Sequence, residues 1–307
     1  MTPALKRLAT ELAACADGEV VCDRPLAPFT TYGIGGPTAV WAAPRSEAGL
    51  QRVLQAVHAA GVALFVLGRG SNLLVSDHGW PGVTLYVGDN LSGVRLEGRH
   101  AEALAGTRLA ELVDAGIAAG LGGLELLSGI PGGLGGALRM NAGAFGREIE
   151  SVTEEVRGFR TDGSPFAADR ERISFGYRRV PELDGVVVTS ARLRFQPDDA
   201  ARLRARADEI LAMRALKQPL EHPSCGSVFK RPPGYYAAVL IESCGLKGER
   251  VGGAEVSRKH AGFVLNTGGA SATDVHRLIR RIETRVHERF GVRLEREVRL
   301  VGEFPDA

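Results

Sequence analysis

Two glycine-rich stretches are the parts of this 307-residue chain best suited to hold a charged ligand. Gly68-Arg69-Gly70-Ser71-Asn72 follows an apolar run. Ser128-Gly129-Ile130-Pro131-Gly132-Gly133-Leu134-Gly135-Gly136 leads into Met140-Asn141-Ala142-Gly143-Ala144. Closely spaced glycines let main-chain N–H groups approach a pyrophosphate without Cβ obstruction, and Ser71 and Asn72 add donors. The first stretch is not a Rossmann fingerprint, because Leu73 stands where the third glycine would. The second is not a P-loop, because no Lys-Ser or Lys-Thr follows its glycines. From the residues alone, tight turns and close strand packing account for the same glycines. Lysine usage is a second signal. Only five of the 38 basic residues are lysines, and four of them (Lys217, Lys230, Lys247, Lys259) are clustered. They mark either places that need a compact ammonium or an ordinary solvated surface.

The elements that must position these stretches can be read from periodicity. Leu5, Leu8 and Leu12 give a short helix over 3–14. An alternating strand over Thr38–Ala43, a helix capped by Ser46 and stopped by Gly61, and an apolar strand over Val62–Leu67 form a βαβ unit that delivers the chain to Gly68. Strands are expected at Val83–Val87, Val94–Leu96, Val152–Arg160, Val186–Thr189 and Ala191–Phe195, and a helix at Thr107–Gly120. The break Gln196-Pro197-Asp198-Asp199 is the preferred domain boundary. Beyond it come an arginine-rich helix over 199–216, a loop Gln218–Ser227, a helix near Tyr235–Cys244 and short strands at Ala254–Val256 and Phe263–Asn266. Ser271 with Asp274 is a capping box that opens a helix carrying Val275, Leu278, Ile279, Ile282 and Val286. The chain closes with an alternating strand, Leu294–Val301.

Composition excludes several classes. The net charge of +2 gives no electrostatic case for nucleic acid or a membrane surface. The stretch Ala115–Leu138 holds Glu125 and nine glycines, so it is rejected as a membrane span. The N-terminus reads as an amphipathic helix rather than a secretory signal. Four cysteines without a CxxC pair point to reduced thiols and a cytoplasmic protein. Glycine, 40 of 307 residues, is concentrated in a few loops.

The stretch Leu67–Val75 resembles the flavin pyrophosphate loop of vanillyl-alcohol-oxidase type FAD domains. Ser128–Gly136 with Met140–Gly146 resembles the second flavin loop of one family on that fold, the UDP-N-acetylenolpyruvoylglucosamine reductases. The resemblance continues in order through Phe175-Gly176-Tyr177-Arg178, Lys217-Gln218-Pro219-Leu220, Gly226–Pro232, Gly245-Leu246-Lys247-Gly248, His260–Phe263 and Leu294–Val298. It implies an α+β architecture: a two-lobed FAD-binding domain over 1–196 (lobes about 1–80 and 81–196) and a smaller α/β substrate-binding domain over 197–307. It also implies FAD as cofactor, NADPH as co-substrate, a UDP-sugar as substrate, no metal and a monomer. No histidine lies in either glycine loop, so the FAD is expected to be non-covalent.

The family reaction converts an enolpyruvyl ether on UDP-N-acetylglucosamine into a lactyl ether, a step of peptidoglycan precursor synthesis. Hydride from NADPH reaches the terminal carbon by way of FAD, and charge builds on the neighbouring carbon and its carboxylate. Such chemistry needs donors at the carboxylate and a proton source at the carbanion. The resemblance assigns the proton to Ser227, the carboxylate fork to Arg178 and a polarising acid to Glu297. It assigns flavin contacts to Gly68, Arg69, Gly70, Ser71, Asn72, Leu73, Gly129, Ile130, Pro131, Gly132, Gly135, Gly136, Asn141, Ala142, Gly143 and Arg214. Lys217 falls on a diphosphate contact, with Lys230, Arg231 and Lys259 as further phosphate ligands. Taken alone, Ser227 is a turn serine, Arg178 and Glu297 are surface residues, and Arg214 and Lys217 are cations at a helix C-terminus. Arg179 competes with Arg178, and the family's Tyr-Arg pair favours Arg178.

One of the two known subfamilies carries an extra tyrosine-bearing loop. The segment between Phe195 and Arg214 has no room for it, so this chain resembles the loopless type II. Cys225 stands where alanine is expected, either as a small buried filler or as a redox-sensitive thiol. Arg139 stands where a neutral residue is expected. Two rival readings share parts of this pattern: a flavin oxidase using oxygen, and a UDP-sugar-binding module without flavin.

Overall fold

The computed structural model describes residues 1–304. Its contacts divide the chain into two compact units. The first comprises Met1–Cys22, Ala39–Arg69 and Gly82–Arg214; the second comprises Asp23–Thr38, Gly70–Pro81 and the chain from Ala215 on.

In the first unit, helices α1 (Pro3–Cys15) and α2 (Glu47–Ala59) bury the stripes Leu5-Leu8-Leu12 and Leu50-Val53-Leu54-Val57. Ser46 caps α2 by accepting from the N–H of Gly49 at 3.0 Å. A four-stranded sheet has the order Gly18–Pro25, Pro37–Pro44, Trp80–Tyr86, Leu64–Leu67, the last two running parallel. The expected βαβ unit is thus present with a later strand inserted between its two strands. A five-stranded antiparallel sheet follows the order Pro165–Asp169, Thr153–Arg160, Val186–Arg194, His100–Leu104, Val94–Glu97. Helices α3 (Leu109–Ala118), α4 (Leu134–Arg139) and α5 (Ala200–Lys217) also belong to this part of the chain. Leu12, Leu54, Leu85, Leu112 and Phe195 share its core and are fully buried.

The break at 196–199 is not where the units part. Gln196–Pro197 pairs with Leu121–Gly122, and Leu203 and Ala207 of α5 are buried in the first unit's core. The Pro-Asp turn marks the start of a helix, and the chain leaves this unit only after Arg214. Two other differences have simple causes. The strands expected at 186–189 and 191–195 are one strand, Val186–Arg194, carried through Ser190. Gly18–Pro25 was not expected because it alternates between half-buried and exposed residues and buries no apolar stripe.

The second unit packs α6 (Ala237–Ser243) and α7 (Ala272–Phe290) with a small sheet of Arg250–Val251, Ala254–Val256 and Val264–Asn266. Ile241, Val256, Leu278, Ile279, Ile282 and Val286 form its core, together with Tyr32 and Leu74 from the early segments. Leu73–Val75 pairs in parallel with Arg299–Val301. The closing strand is shorter than the expected 294–301, because residues 295–298 bond a different neighbour. No helix among the described residues is long and apolar enough to cross a membrane.

The N-terminus of α7 anchors this unit. Ser271 and Asp274 form the expected capping box, and Gly291 ends the helix in the left-handed conformation. Asp77 adds a second cap, accepting from the N–H groups of Ala272 (2.7 Å) and Thr273 (2.9 Å) and from the Thr273 hydroxyl (2.7 Å). Burial alone would raise the Asp77 carboxyl, but these hydrogen bonds outweigh it and hold the group below its ordinary range. A carboxylate with a depressed pKa stabilises the fold above the ordinary carboxylate range and loses that contribution as pH falls through its folded pKa. Asp77→Ala should therefore cost about 1 kcal/mol near neutral pH. In urea denaturation the gap from the parent should close on acidification; a gap independent of pH would contradict this role.

Candidate active site

Strand Leu64–Leu67 delivers the chain to the first glycine loop. Gly70 is required by the fold. Its φ is +60°, and a Cβ there would lie 2.0 Å from the Phe29 carbonyl oxygen. Gly68 is different, since its φ is not in the left-handed region and a Cβ would meet nothing within 4 Å. No contact within the protein demands a glycine at this position. The Arg69 guanidinium anchors the loop from behind, donating from Nε (3.0 Å) and Nη2 (2.8 Å) to the Gly106 carbonyl and pairing with Asp89 at 2.9 Å. Its side chain is thereby committed to the scaffold. Asn72 leads into the parallel pairing of Leu73–Val75 with Arg299–Val301.

The second loop separates into glycines used by packing and one that is not. Gly129 (φ +78°) and Gly132 (φ +111°) occupy conformations that favour glycine. Cβ atoms at Gly133 and Gly135 would lie 3.0 Å from Ala105 atoms, so these two allow α4 to pack closely. Gly136, inside α4, has open space where its Cβ would be and an ordinary helical backbone.

Asn141, Ala142 and Gly143 have structural tasks. The buried Asn141 amide donates to Glu148 (2.7 Å) and to the Gly176 carbonyl (3.3 Å), while its side-chain oxygen accepts from the Glu150 N–H (3.3 Å). Both main-chain groups of Ala142 are bonded, to Ala137 and Ile149. The carbonyls of Asn141 (3.5 Å) and Gly143 (3.1 Å) receive the Arg178 guanidinium, which also lies 5.1 Å from the Tyr177 ring centroid. Arg178 sits at φ +57° in the tight turn Gly176–Arg179, a conformation rare for a non-glycine residue. Backbone strain of this kind is held by its surroundings, here by the contacts to 141–143. Arg139 is now explained: it donates to the Leu183 carbonyl and pairs with Asp184 at 3.0 Å.

Arg214 is the unexpected member of α5. Leu203, Ala207, Ile210 and Arg214 are the helix's buried residues, at a spacing that places them on one face. Arg214 lies against Gly129, where a Cβ would be 2.7 Å from its Cδ, and 5.6 Å from the Phe145 ring centroid. Its buried Nε has no hydrogen-bond partner among the described residues, and burial lowers its pKa. A buried guanidinium donor without a partner is costly unless an anion completes it.

Ser227 and Glu297 belong to one hydrogen-bonded frame in the second unit. The N–H of Val228 donates to Gly262 (2.9 Å), and its carbonyl accepts from Glu297 (2.8 Å) and Val298 (3.3 Å). Ser227 bridges Phe263, Phe229 bridges Arg296, and the N–H of Lys230 donates to the Glu295 carbonyl at 2.9 Å. Arg296 is clamped by Glu283 of α7 through bonds of 2.5 and 2.7 Å. Cys225 is buried beneath this frame with Tyr32, and burial pushes its thiol up to about 12. It is the small buried filler; a neutral, enclosed thiol is poorly placed for redox sensing. Among the candidate phosphate ligands, Lys230 pairs with Glu295, Arg231 lies 4.0 Å from the Tyr236 ring centroid, and Lys259 donates to the Ala215 carbonyl at 2.6 Å. Lys217 is exposed on the last residue of α5.

An FAD-binding-domain family model matches residues 38–164, and the model of the UDP-N-acetylenolpyruvoylglucosamine reductase C-terminal domain matches 218–301. The reductase of Syntrophomonas wolfei is 42% identical over 282 residues, covering 92% of this chain and 94% of that protein. That of Anaeromyxobacter dehalogenans is 44% identical over 295 residues, covering 96% and 89%. The chain belongs to this reductase family. The crystal structure of the Thermus caldophilus UDP-N-acetylenolpyruvylglucosamine reductase superposes with a TM-score of 0.80 at 37% identity, covering 93% of this chain and 99% of that one. The expected pairing of an FAD-binding domain with the family's C-terminal domain is met.

The residues present fit a flavin dinucleotide on three counts: the open space at Gly68, the open space at Gly136 and the partnerless Nε of Arg214. The Arg69–Asp89–Gly106 anchor and the Arg296–Glu283 clamp were not found from sequence, since their partners are far apart in the chain. Arg214 carried a usable signal, an arginine at a core position of a helical stripe. Gly136→Ala should stabilise the flavin-free protein by about 0.5–1 kcal/mol, because alanine favours a helix interior more than glycine does. The same variant should purify with less flavin, read as the ratio of visible to ultraviolet absorbance; full flavin retention would show that this glycine faces no ligand.

Proposed function

We propose that this chain reduces the enolpyruvyl ether of UDP-N-acetylglucosamine to the lactyl ether, using NADPH and non-covalent FAD, in peptidoglycan precursor synthesis. Bound FAD supplies hydride transfer from NADPH to the terminal carbon of the enolpyruvyl group. Main-chain N–H groups about Gly68, Gly70 and Gly136 bind its phosphates, and Arg214 completes the charge. Arg178, pre-oriented by the Asn141 and Gly143 carbonyls, holds the substrate carboxylate as negative charge spreads into it. Glu297 polarises the same carboxylate. Ser227 gives its Oγ proton to the carbanion, which is basic enough to take it. Lys217, Lys230, Arg231 and Lys259 offer positive charge to the diphosphate, three of them exchanging contacts within the protein for it. We read the active form as a monomer and place it in the cytoplasm, whose reducing conditions suit four free thiols.

The observation that supports the reading is the 2.8 Å hydrogen bond from the Glu297 N–H to the Val228 carbonyl, which holds Glu297 beside the segment of Ser227. It is tested by NADPH oxidation with and without UDP-N-acetylglucosamine enolpyruvate. Turnover should require the substrate, and Ser227→Ala should lower kcat by about 10²- to 10⁴-fold, the usual contribution of a positioned proton donor. Oxidation indifferent to the substrate, or a variant at parental rate, would refute it.

A further inference from the structure

Asn72 lies in the loop that the family resemblance assigns to the flavin, yet its side chain is engaged elsewhere. Its Nδ2 donates to the main-chain carbonyl of Glu297 at 3.0 Å, and its own main-chain carbonyl accepts from the N–H of Arg299 at 3.0 Å. A carbonyl only accepts, so the amide nitrogen must be the atom turned toward Glu297. One residue thus grips the closing strand at both ends of Glu297-Val298-Arg299. Just beyond it begins the parallel register Leu73↔Arg299, Leu74↔Leu300, Val75↔Val301, which the Asn72 side chain extends to Glu297. The N–H of Glu297 is held on the other edge by the Val228 carbonyl at 2.8 Å. The peptide groups flanking the Glu297 Cα are therefore fixed from two sides, by the segment of Ser227 and by Asn72.

From this geometry we infer that Asn72 is a positioning residue for Glu297, acting on the step at the substrate rather than holding the flavin. The inference rests on the role given to Glu297 in the proposed function. A carboxyl group on a strand that has lost one of two anchors can drift by a fraction of an ångström. A displacement of about 1 Å costs roughly a hundredfold in rate.

The test uses Asn72→Ala and Asn72→Asp as purified holoenzymes, with the two half-reactions followed separately under anaerobic conditions. Flavin content and the rate of flavin reduction by NADPH should stay within about twofold of the parent. Reoxidation by UDP-N-acetylglucosamine enolpyruvate should fall by roughly ten- to a hundredfold in both variants. The aspartate adds a readout that a general loss of structure would not give. Ionised, it has no proton to donate to the Glu297 carbonyl; protonated, it has the shape of asparagine and an O–H donor. The ratio of its reoxidation rate to the parent's should therefore climb as pH falls, while the alanine ratio stays flat. The ionisable residues on the facing strand, Arg296, Glu297 and Arg299, are common to all three proteins and cancel in these ratios.

Loss of flavin with both half-reactions falling together would overturn the inference and make Asn72 a cofactor ligand. Parental reoxidation rates in both variants would overturn it as well. Should the alanine variant fail to fold, the pH-dependent recovery of the isosteric aspartate decides the question. A parent enzyme that is not reoxidised by the substrate would instead overturn the proposed function beneath it.

Discussion

The closing segment, residues 295–301, has to find partners for its main-chain groups on two different neighbours, and the placement of Ser227 and Glu297 depends on that division. Residues 299–301 pair with Leu73–Val75, while residues 295–298 bond the 228–230 segment. Buried main-chain N–H and C=O groups are expensive to leave without partners, so neither neighbour can slide independently of the strand. Ser227, Glu297 and the end of the first glycine loop are consequently parts of one hydrogen-bonded assembly. Arg296 points to the opposite side of the strand and locks it to α7 through Glu283.

The first unit meets a different demand, since it carries most of the FAD-binding domain. Its glycines divide by cause. Gly129 and Gly132 are set by backbone conformation, and Gly133 and Gly135 by contact with the strand end at Ala105. Gly68 and Gly136 are set by neither, which fits the proposed flavin contacts there. Arg214 supports the same conclusion from electrostatics. A guanidinium placed in an apolar helix stripe, with a buried donor lacking a partner, is a poor choice for stability. Arg178 is held in a rare conformation and steadied by two carbonyls, which fits the proposed role as a fixed fork.

Much of this was legible in the sequence. The helices announced themselves by their apolar stripes and caps, with Ser46 and the Ser271–Asp274 box standing where the residues said they would. The order of motifs gave the family. Less legible were features that depend on distant partners. Gly18–Pro25 carries no buried alternation, and the Pro-Asp break at 197–199 starts a helix that still belongs to the first unit. The resemblance assigns residues 141–143 to the flavin, and spacing gave no sign that the carbonyls of Asn141 and Gly143 also support the turn of Arg178. Which glycine serves packing and which serves a ligand cannot be told from spacing; it requires the atoms a Cβ would meet.

In this structure the segment carrying Glu297 is fixed before any ligand arrives. Amide hydrogen exchange at Glu297 and Arg299 in flavin-free protein tests it directly, because these two N–H groups bond Val228 and Asn72 respectively. Protection at both positions should be comparable to that of the core residues of α7, with no gain when FAD is added. Rapid exchange that slows only on flavin binding would show that the ligand, and not the fold, sets the frame.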